Sequence, residues 1–326
     1  MRTNFHSDFQ IDFLVTWIAL RVVLVTWMLW YLPQKDLMTS CFVLAALVFL
    51  ELFGRYYVTG GRVSPTGKAV LITGCDTGFG FRLAHRLSIE GFQVFAGCLE
   101  IFRNDSTTGS RLKIDVTSQE DIQLAFDYVS AHLGENELWA VVNNAGISKG
   151  TSLGRTCIED VEEVMNVNVL GAIRITKSFL PLLQKSRGRV VNVASASGLF
   201  PMPPFLPYCV SKHAMVAFTK TLRMELRRCG INVVSIQPWI YRTRLSKVRH
   251  DSNHVTSLQK KTGALFDWLV NDDVDEVIDA MVDALTRQHP PFSYTPGKWY
   301  LNCFLSVLRA LPEPIADMIL CFLFGC

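Results

Sequence analysis

Short apolar runs rich in β-branched residues alternate with helical hydrophobic patterns along the chain beyond residue 67. A strand buried in a parallel sheet has a continuous apolar run, whereas a helix repeats its apolar positions about every 3.6 residues. Strands that alternate with helices predict an α/β fold, a doubly wound parallel sheet in a single domain. The predicted strands are Lys68–Thr73, Gln93–Gly97, Leu112–Ile114, Trp139–Asn143, Arg189–Ala194, Asn232–Gln237 and Phe292–Thr295.

Two of the helical patterns have ends that can be located. One helix should begin near Pro207, since proline suits a first helical turn, and should stop before Gly230. A second long pattern, Ile158–Gln184, predicts another central helix. The apolar stripe of the first helix should lie in the core and consists of Val210, Met215, Phe218, Leu222 and Leu226.

The N-terminal stretch differs from the rest of the chain because it holds two long apolar segments, Phe13–Leu32 and Leu37–Phe53. Segments of this length suit helices embedded in a membrane, although Arg21 is a costly residue within the first one. No small-residue cleavage site follows, so neither segment resembles a removable signal. We therefore expect a membrane-anchor region with two hydrophobic helices over residues 1–65, followed by a folded domain over residues 66–326.

Tyr208 and Lys212 lie four residues apart in a helical pattern, so their side chains share one helix face. A cation beside a phenol favours the ionised phenol, which makes Tyr208 a candidate general acid or base. Ser195 follows the fifth predicted strand, and its hydroxyl can hold a substrate oxygen near that phenol. A Tyr-x-x-x-Lys match also arises by chance, and the alternative is an ordinary helix tyrosine beside a solvated lysine.

Two further motifs precede this one. The sequence Thr73–Gly80, TGCDTGFG, lies between a predicted strand and a predicted helix. Glycines there let the backbone approach a pyrophosphate, which the helix N-terminus stabilises. The sequence Asn143–Gly146, NNAG, follows the fourth predicted strand. Either motif alone also fits a plain turn at the end of a strand, so their order along the chain carries the argument.

In this order the motifs resemble the short-chain dehydrogenase/reductase family, closely from about Gly67 to Thr243 and more loosely in the tail. The sequences Gly74–Phe81 and Gly91–Leu99 look like the branch that holds D-3-hydroxybutyrate dehydrogenase, retinol dehydrogenases and 17β-hydroxysteroid dehydrogenase type 2. The resemblance implies a Rossmann-type fold and an NAD(P)-dependent oxidoreductase that interconverts an alcohol and a carbonyl. It also implies a homo-oligomer, in which the helix Ile158–Gln184 packs against its copy.

The resemblance also implies roles for individual residues. Tyr208 is similar to the catalytic acid or base, and Ser195 to the hydroxyl that orients the carbonyl. Lys212 would favour the ionised phenol and hold the nicotinamide ribose. Asn168, rather than Asn166, would link the lysine to a water-mediated proton path. The implied cofactor contacts are Gly74, Gly78, Phe79, Gly80, Glu100, Asp115, Val116, Asn143, Ala145, Gly146, Tyr208, Lys212 and Thr243.

The choice between NAD and NADP depends on Glu100, which comes just after the second predicted strand. An acidic side chain there can hydrogen-bond the ribose 2′-hydroxyl and repel a 2′-phosphate, so we expect NAD. Arg103 could instead meet a phosphate, which leaves NADP possible, and Glu100 could also be a solvated loop residue.

Three departures from the family pattern concern the substrate pocket. Trp239 stands where the family has glycine, and its ring is expected to crowd the nicotinamide or reshape the loop that ends at Thr243. The segment from Leu99 to Asp115 is too short for the usual crossover helix. The segment from Thr243 to Asn271 is shorter than the substrate lid of similar proteins.

Composition and charge limit the kinds of partner that we expect the protein to bind. Hydrophobic residues make up 49% of the chain, and the apolar tail Trp299–Cys326 is expected to dock on a bilayer. A net charge of +3 is too small to indicate nucleic-acid binding. Nine cysteines without Cys-x-x-Cys spacing indicate reduced thiols in a domain that faces the cytosol. His250 and His254 lack a third ligand, so we expect no metal.

These observations predict a lipophilic, steroid- or retinoid-like alcohol or ketone as substrate, because the loop Leu199–Leu206 is apolar and an anchor would hold the enzyme beside lipid. One alternative is a hydroxy acid such as 3-hydroxybutyrate, whose carboxylate would pair with Arg242, Arg244 and Lys247. Another is a catalytically degenerate scaffold that binds nucleotide and membrane. The expected location is the endoplasmic reticulum membrane with the catalytic domain in the cytosol, or alternatively a mitochondrial membrane.

Overall fold

The structure is a computed structural model in which the chain divides into two units, Met1–Gly60 and Gly61–Cys326. The predicted N-terminal membrane helices lie outside the described residues except for Met38, Ala46 and Leu47. No helix in the described part of the chain is both long and apolar enough to cross a bilayer. Besides those three residues, the structure describes residues 61–100, 109–150, 152–203, 205–243 and 270–324.

A seven-stranded parallel sheet forms the centre of the second unit, with strand order β3-β2-β1-β4-β5-β6-β7. The order reverses direction at β1, as it does in a doubly wound sheet, so β1 and β4 lie at the switch point where ligands bind. The strands are β1 Lys68–Thr73, β2 Gln93–Cys98, β3 Ser110–Lys113, β4 Glu137–Asn143, β5 Arg189–Val193, β6 Asn232–Ile236 and β7 Ser293–Tyr294.

The predicted α/β sheet is therefore confirmed, and each strand ends within one or two residues of its predicted limit. The continuous apolar runs located the strands because both faces of the sheet are buried. On β1, every residue from Ala69 to Thr73 is buried. Helices cover both faces of a parallel sheet, so the residues of its strands are buried on both sides.

Helices cover both faces of the sheet and divide the core into two main clusters. Helices α1 and α6 pack on one face together with the C-terminal helices, while α2, α4 and α5 pack on the other. The helices are α1 Gly78–Ile89, α2 Gln119–His132, α3 Ile158–Met165, α4 Ala172–Ser186, α5 Leu206–Leu226, α6 Asp275–Thr286, α7 Trp299–Ala310 and α8 Glu313–Phe324.

The two predicted central helices need corrections. A wide π-helical turn, Asn166–Gly171, interrupts the helix that was expected to run unbroken from Ile158 to Gln184. Helix α5 ends as expected, since a short 3₁₀ turn follows it and Gly230 adopts the left-handed conformation there. Val210, which was expected in the core, is instead 48% exposed, because it lies on the outer face of α5.

Candidate active site

The four predicted catalytic residues lie on segments at the carboxyl ends of the central strands. Ser195 follows β5, Tyr208 and Lys212 lie in the first turns of α5, and Asn168 lies in the π-helical turn. All four side chains are buried, with exposed fractions of 7% or less. Such burial of polar groups needs hydrogen-bond partners, which the surrounding backbone supplies.

Lys212 lies beside the phenol of Tyr208, as their spacing on one helix face predicts. Its Nζ is 5.5 Å from the centroid of the Tyr208 ring. The same Nζ donates to the carbonyl oxygen of Val193 at 2.9 Å, which ties the ammonium group to the end of β5. The buried ammonium group of Lys212 therefore lies close to the aromatic ring of Tyr208, the candidate acid or base.

Asn168 is fixed at both ends of its amide group. Its Oδ1 accepts from the backbone N–H of Ile147 at 2.8 Å, and its Nδ2 donates to the Ile147 carbonyl at 2.9 Å. Nδ2 also donates to the hydroxyl of Ser211 at 3.0 Å, and that hydroxyl donates to the carbonyl of Tyr208. Asn168 is buried while Asn166 is partly exposed, so the π-helical turn directs Asn168 inward.

Gly146 lies where two of these polar groups converge. A Cβ atom placed there would lie 3.3 Å from Asn168 Oδ1 and 3.8 Å from Lys212 Nζ. Glycine therefore keeps space open between the amide of Asn168 and the ammonium of Lys212.

Ser195 caps the short 3₁₀ turn Ala196–Gly198. Its hydroxyl oxygen accepts from the backbone N–H of Ser197 at 3.2 Å and lies 3.4 Å from the carbonyl oxygen of Pro238. These contacts with two neighbouring segments orient the hydroxyl at the end of β5. It is thereby held on the same buried edge of the sheet as Tyr208.

The glycine-rich turn after β1 is closely packed against the segment that follows β4. A Cβ atom at Gly74 would lie 2.8 Å from the Cα of Ala145, and one at Gly80 would lie 2.3 Å from the Gly74 carbonyl oxygen. Gly74 and Gly78 both have positive φ angles, 70° and 67°, which favour glycine. Helix α1 begins at Gly78, so its first N–H groups face this turn.

This turn fits the pyrophosphate of a dinucleotide. A Cβ atom at Gly78 would meet nothing closer than the Thr243 side chain at 3.9 Å, so the space above Gly78 is left for a ligand. Backbone N–H groups at a helix N-terminus with room above them are what an anionic phosphate needs. The residues present therefore suit the predicted cofactor.

Asn144 and Thr73 hold the glycine turn in place, and both belong to the quoted motifs without being among the predicted cofactor contacts. Asn144 Nδ2 donates to the carbonyls of Thr73 at 2.9 Å and Gly74 at 3.0 Å. The Thr73 hydroxyl accepts from the backbone N–H groups of Asn144 and Ala145, each at 3.1 Å. The period of two along a strand is the signal that distinguishes Asn144 from Asn143, because neighbouring residues face opposite sides.

The side chain of Asn143 lies in a buried network beneath the site. Its Nδ2 donates to the hydroxyl of Thr176 at 2.9 Å and to Asn192 Oδ1 at 2.8 Å. Asn192 in turn donates to the hydroxyl of Thr219 at 3.0 Å. The predicted cofactor contact at Asn143 is therefore left to its backbone, since this side chain joins β4 and β5 to helices α4 and α5.

The predicted adenosine side of the site is organised by two aspartates. The Asp76 carboxylate accepts from the backbone N–H groups of Leu99 and Glu100, both at 3.1 Å, which fixes the chain where the exposed Glu100 leaves β2. Asp115 Oδ1 accepts from both the N–H and the hydroxyl of Thr117. Val116 is buried, and Arg103 lies outside the described residues.

Trp239 does not protrude freely into the site, contrary to one expectation from the sequence. Its side chain is 6% exposed, packs on Phe200 with ring centroids 5.5 Å apart, and donates through Nε1 to Asn302 Oδ1 at 2.9 Å. A Cβ atom at Gly297 would lie 2.3 Å from the Trp239 ring. The indole therefore anchors the loop after β6 to the start of α7.

Phe79 and Thr243 bring that loop against the glycine turn. The ring of Phe79 contacts the edge of Tyr241, with centroids 5.9 Å apart. Thr243 lies over Gly78, as described above. Among the described residues, no three histidine, cysteine, aspartate or glutamate side chains cluster as a metal ion would require. The site sets the phenol of Tyr208, which can transfer a proton, at the same edge of the sheet as the glycine turn.

Comparison with known proteins agrees with this geometry. Residues 68–254 match the family model described as short chain dehydrogenase. The chain is 34% identical over 300 residues to the mitochondrial D-beta-hydroxybutyrate dehydrogenase of Rattus norvegicus, an overlap of 81% of this chain and 87% of that protein. It is 36% identical over 307 residues to retinol dehydrogenase 16 of Mus musculus, covering 85% of this chain and 95% of that protein. A human relative, 17-beta-hydroxysteroid dehydrogenase type 6, is 35% identical over the same length and with the same coverage.

Solved structures share the fold at lower identity. A short chain dehydrogenase from Burkholderia cenocepacia in complex with NADP has a TM-score of 0.63 at 22% identity, covering 79% of this chain and 99% of that one. A Burkholderia phymatum short-chain dehydrogenase/reductase in complex with NAD has a TM-score of 0.65 at 21% identity, covering 76% and 95%. The family match and the relatives establish that the chain belongs to the short chain dehydrogenase family and is an NAD(P)-dependent oxidoreductase.

Proposed function

We propose that the protein is a membrane-anchored dehydrogenase/reductase that prefers NAD and interconverts an alcohol and a carbonyl on a lipophilic, steroid- or retinoid-like substrate. The observation that carries this proposal is the buried cluster of Tyr208, Lys212, Ser195 and Asn168 beside the apolar loop Leu199–Leu206. The cluster supports the reaction type, and the loop supports the substrate class.

In the proposed reaction, Tyr208 takes the hydroxyl proton of the alcohol or returns it to the carbonyl oxygen. Ser195 holds that oxygen, because the turn at Ala196–Gly198 has already oriented its hydroxyl. Lys212, buried beside the phenol, stabilises the phenolate that forms when the proton leaves. A nicotinamide cofactor whose pyrophosphate is held at the glycine turn would supply or accept the hydride. Asn168 would connect Lys212 to solvent through water.

The loop Leu199–Leu206 favours an apolar substrate because it contains no charged residue and leads directly into the turn of α5 that carries Tyr208. Phe200 and Met202 are buried in the core, while Leu199, Phe205 and Leu206 stay partly exposed beside the site. A carboxylate substrate would need a cation among these residues. Thus a steroid or retinoid alcohol is the better match.

Membrane attachment is supported by two separate parts of the chain. The apolar segments within residues 1–65 have the length of membrane helices. Helix α8 exposes Met318 by 66% and Phe322 by 87%, and these residues lie four apart on one face of the helix. An exposed apolar face of this kind fits the interfacial region of a bilayer. We place the protein in the endoplasmic reticulum with its catalytic domain in the cytosol, a mitochondrial membrane being the alternative.

We also propose a homo-oligomer. Ile158, Leu170 and Val210 are 62%, 44% and 48% exposed on helices α3 and α5 and the π-helical turn between α3 and α4. Large apolar side chains exposed on neighbouring helices favour burial against another copy of the chain.

Oxidation of a hydroxy acid such as 3-hydroxybutyrate is the second candidate function. Similarity to D-beta-hydroxybutyrate dehydrogenase favours it. Arg242, one of its expected carboxylate partners, already forms an ion pair with Asp272 at 2.5 Å, which weakens the case. A degenerate scaffold is disfavoured because the catalytic cluster is intact.

A substrate panel tests the proposal. The full chain in detergent is assayed with a steroid alcohol, all-trans-retinol and D-3-hydroxybutyrate, each with NAD and with NADP, and Tyr208→Phe serves as the control for background turnover. We expect the steroid or retinoid alcohol with NAD to give the highest kcat/KM. Efficient oxidation of hydroxybutyrate without turnover of the lipophilic alcohols would establish the hydroxy-acid function instead.

Membrane attachment is tested by deleting Met1–Arg55. We expect the truncated chain to leave the membrane only partly, because the α8 face still contacts lipid. Complete release into the aqueous fraction would contradict a role for α8, and unchanged membrane association would contradict the N-terminal anchor.

A further inference from the structure

We infer that Glu276 is a positioning residue for the cofactor, because its carboxylate fastens the loop after β6 against the glycine turn. This inference rests on the use of NAD(P) and is independent of the substrate. Glu276 is the second residue of α6 and lies at the carboxyl edge of the sheet, yet it belongs to none of the motifs that the sequence presents.

The Glu276 carboxylate joins three separate segments. Its Oε2 accepts from the hydroxyl of Tyr241 at 2.7 Å and from Asn271 Nδ2 at 3.0 Å. Its Oε1 accepts from the backbone N–H of Gly297 at 2.7 Å. The first donor belongs to the loop after β6, the second to the segment before α6 and the third to the segment before α7. Hydrogen bonds to a charged acceptor are among the strongest in proteins.

The backbone reinforces the same junction. Tyr241 and Asn271 form an isolated parallel bridge. The N–H of Arg242 donates to the Asn271 carbonyl at 3.1 Å, and the N–H of Asn271 donates to the Ile240 carbonyl at 2.8 Å. Tyr241 and its neighbours are thus fastened to Asn271 at the position where Glu276 meets both of them.

Tyr241 transmits this restraint to the cofactor side of the site. Its side chain is 3% exposed, and its ring packs edge-on against Phe79 in the first turn of α1. Two residues further on, Thr243 lies over Gly78. Burial and the hydrogen bond to Glu276 raise the pKa of the Tyr241 phenol well above its ordinary value, so the phenol remains a donor at every working pH. Glu276 therefore holds Phe79 and Thr243 beside the pyrophosphate cradle through a single fixed ring.

The same helix provides a matched control. Tyr294 donates its phenolic hydrogen to Asp283 Oδ2 at 2.7 Å, and both partners are partly buried. Asp283 lies two helical turns beyond Glu276, about 10 Å along the axis, towards the opposite edge of the sheet. Removing either tyrosine hydroxyl deletes one hydrogen bond to a carboxylate of α6. Only the Tyr241 hydroxyl belongs to the loop that borders the cradle.

The experiment compares Tyr241→Phe and Glu276→Ala with Tyr294→Phe in the full chain in detergent. NADH affinity is measured by fluorescence titration, and folding is measured by urea unfolding without cofactor. We expect Tyr241→Phe and Glu276→Ala to weaken NADH binding about tenfold, because a loop released from its restraint is competent to bind for a smaller fraction of time. Tyr294→Phe should leave the NADH Kd unchanged while lowering the urea midpoint to a similar extent.

Glu276→Gln sharpens the test, because the amide keeps one acceptor oxygen for Gly297 but loses the second. Its NADH Kd should lie between those of the wild type and Glu276→Ala. Unchanged NADH affinity in a folded Tyr241→Phe protein would overturn the inference, and should Glu276→Ala not fold, Tyr241→Phe alone decides. Failure of the wild type to bind NADH or NADPH would overturn the proposed function instead, so the two failures are distinguishable.

Discussion

The two edges of the sheet use polar residues in opposite ways. At the carboxyl edge, Lys212 and Asn168 border a space that Gly146 keeps open. At the amino edge, the side chain of Arg189 instead donates to the backbone of the protein itself. Arg189, at the start of β5, is 1% exposed and donates through Nη1 to the carbonyls of Ala284 at 2.6 Å and Arg287 at 2.9 Å.

Arg189 closes the C-terminal end of α6, where helix carbonyls otherwise lack donors. Its guanidinium lies 4.4 Å from the centroid of the Trp139 ring, and Trp139 Nε1 donates to the carbonyl of Leu285 at 3.0 Å. Burial lowers the pKa of Arg189 to about 10, so the guanidinium still carries its charge at neutral pH. Helix α6 thus connects Arg189, which stabilises the fold at one end, with Glu276, which holds the cofactor loop at the other.

The change with the strongest effect on activity should be at Tyr208, on the carboxyl edge. Tyr208→Phe should lower turnover by about a thousandfold, because it removes the proton donor and acceptor of the reaction. NADH affinity should stay near that of the wild type, since the glycine turn and Lys212 remain. Steady-state kinetics and NADH titration measure the two quantities, and Tyr294→Phe is the control for loss of a phenol. Near-normal turnover in Tyr208→Phe would remove Tyr208 from the mechanism.

The next effect concerns the amino edge. Arg189→Met should lower the free energy of unfolding by about 2–4 kcal/mol, because the carbonyls of Ala284 and Arg287 lose their donor inside the protein. Arg189→Lys keeps the charge but not the planar guanidinium, so its loss should be smaller. Urea unfolding measures both. A fall in NADH affinity as large as that of Tyr241→Phe would show that the two edges are not separable.

A smaller effect should distinguish two exposed carboxylates on opposite edges. Glu100→Ala, at the end of β2, should lower the preference for NAD over NADP about tenfold, since it removes both a hydrogen bond to the ribose and the repulsion of a 2′-phosphate. Glu137→Ala, at the start of β4, should leave the preference unchanged. The measurement is the ratio of kcat/KM values for the two cofactors. A wild-type preference for NADP would mean that a residue other than Glu100 determines the choice between the two cofactors.

The sequence predicted what depends on local pattern. Continuous apolar runs located the strands, and Pro207 and Gly230 located the ends of α5. The same pattern misplaced Val210, because periodicity identifies apolar positions without telling whether a helix or solvent covers them. It also could not locate the Trp239 ring, whose partners Phe200, Gly297 and Asn302 are brought to it only by tertiary folding.

The residues of the candidate site also differ in whether a local pattern identifies them. Motifs of fixed spacing placed Tyr208, Lys212 and the glycines where the structure has them. Glu276 carries no such signal, because its donors come from segments up to 35 residues away and no short pattern contains them. The chemistry of a ligand determines which residue types can contact it, and these form recognisable short motifs. The residues that hold a loop depend instead on which distant segments the fold brings together.

The π-helical turn Asn166–Gly171 amounts to a one-residue insertion in an otherwise α-helical segment. Each residue of an α-helix advances the side-chain direction by about 100°, so one extra residue offsets α3 from α4 by roughly that angle. Val164 before the turn and Ile175 after it are both fully buried under this offset. Loss of a single codon within the turn would restore a regular helix and rotate Val164 away from the core. The number of residues in the turn thus sets the direction of Asn168 as firmly as the identity of the residue does.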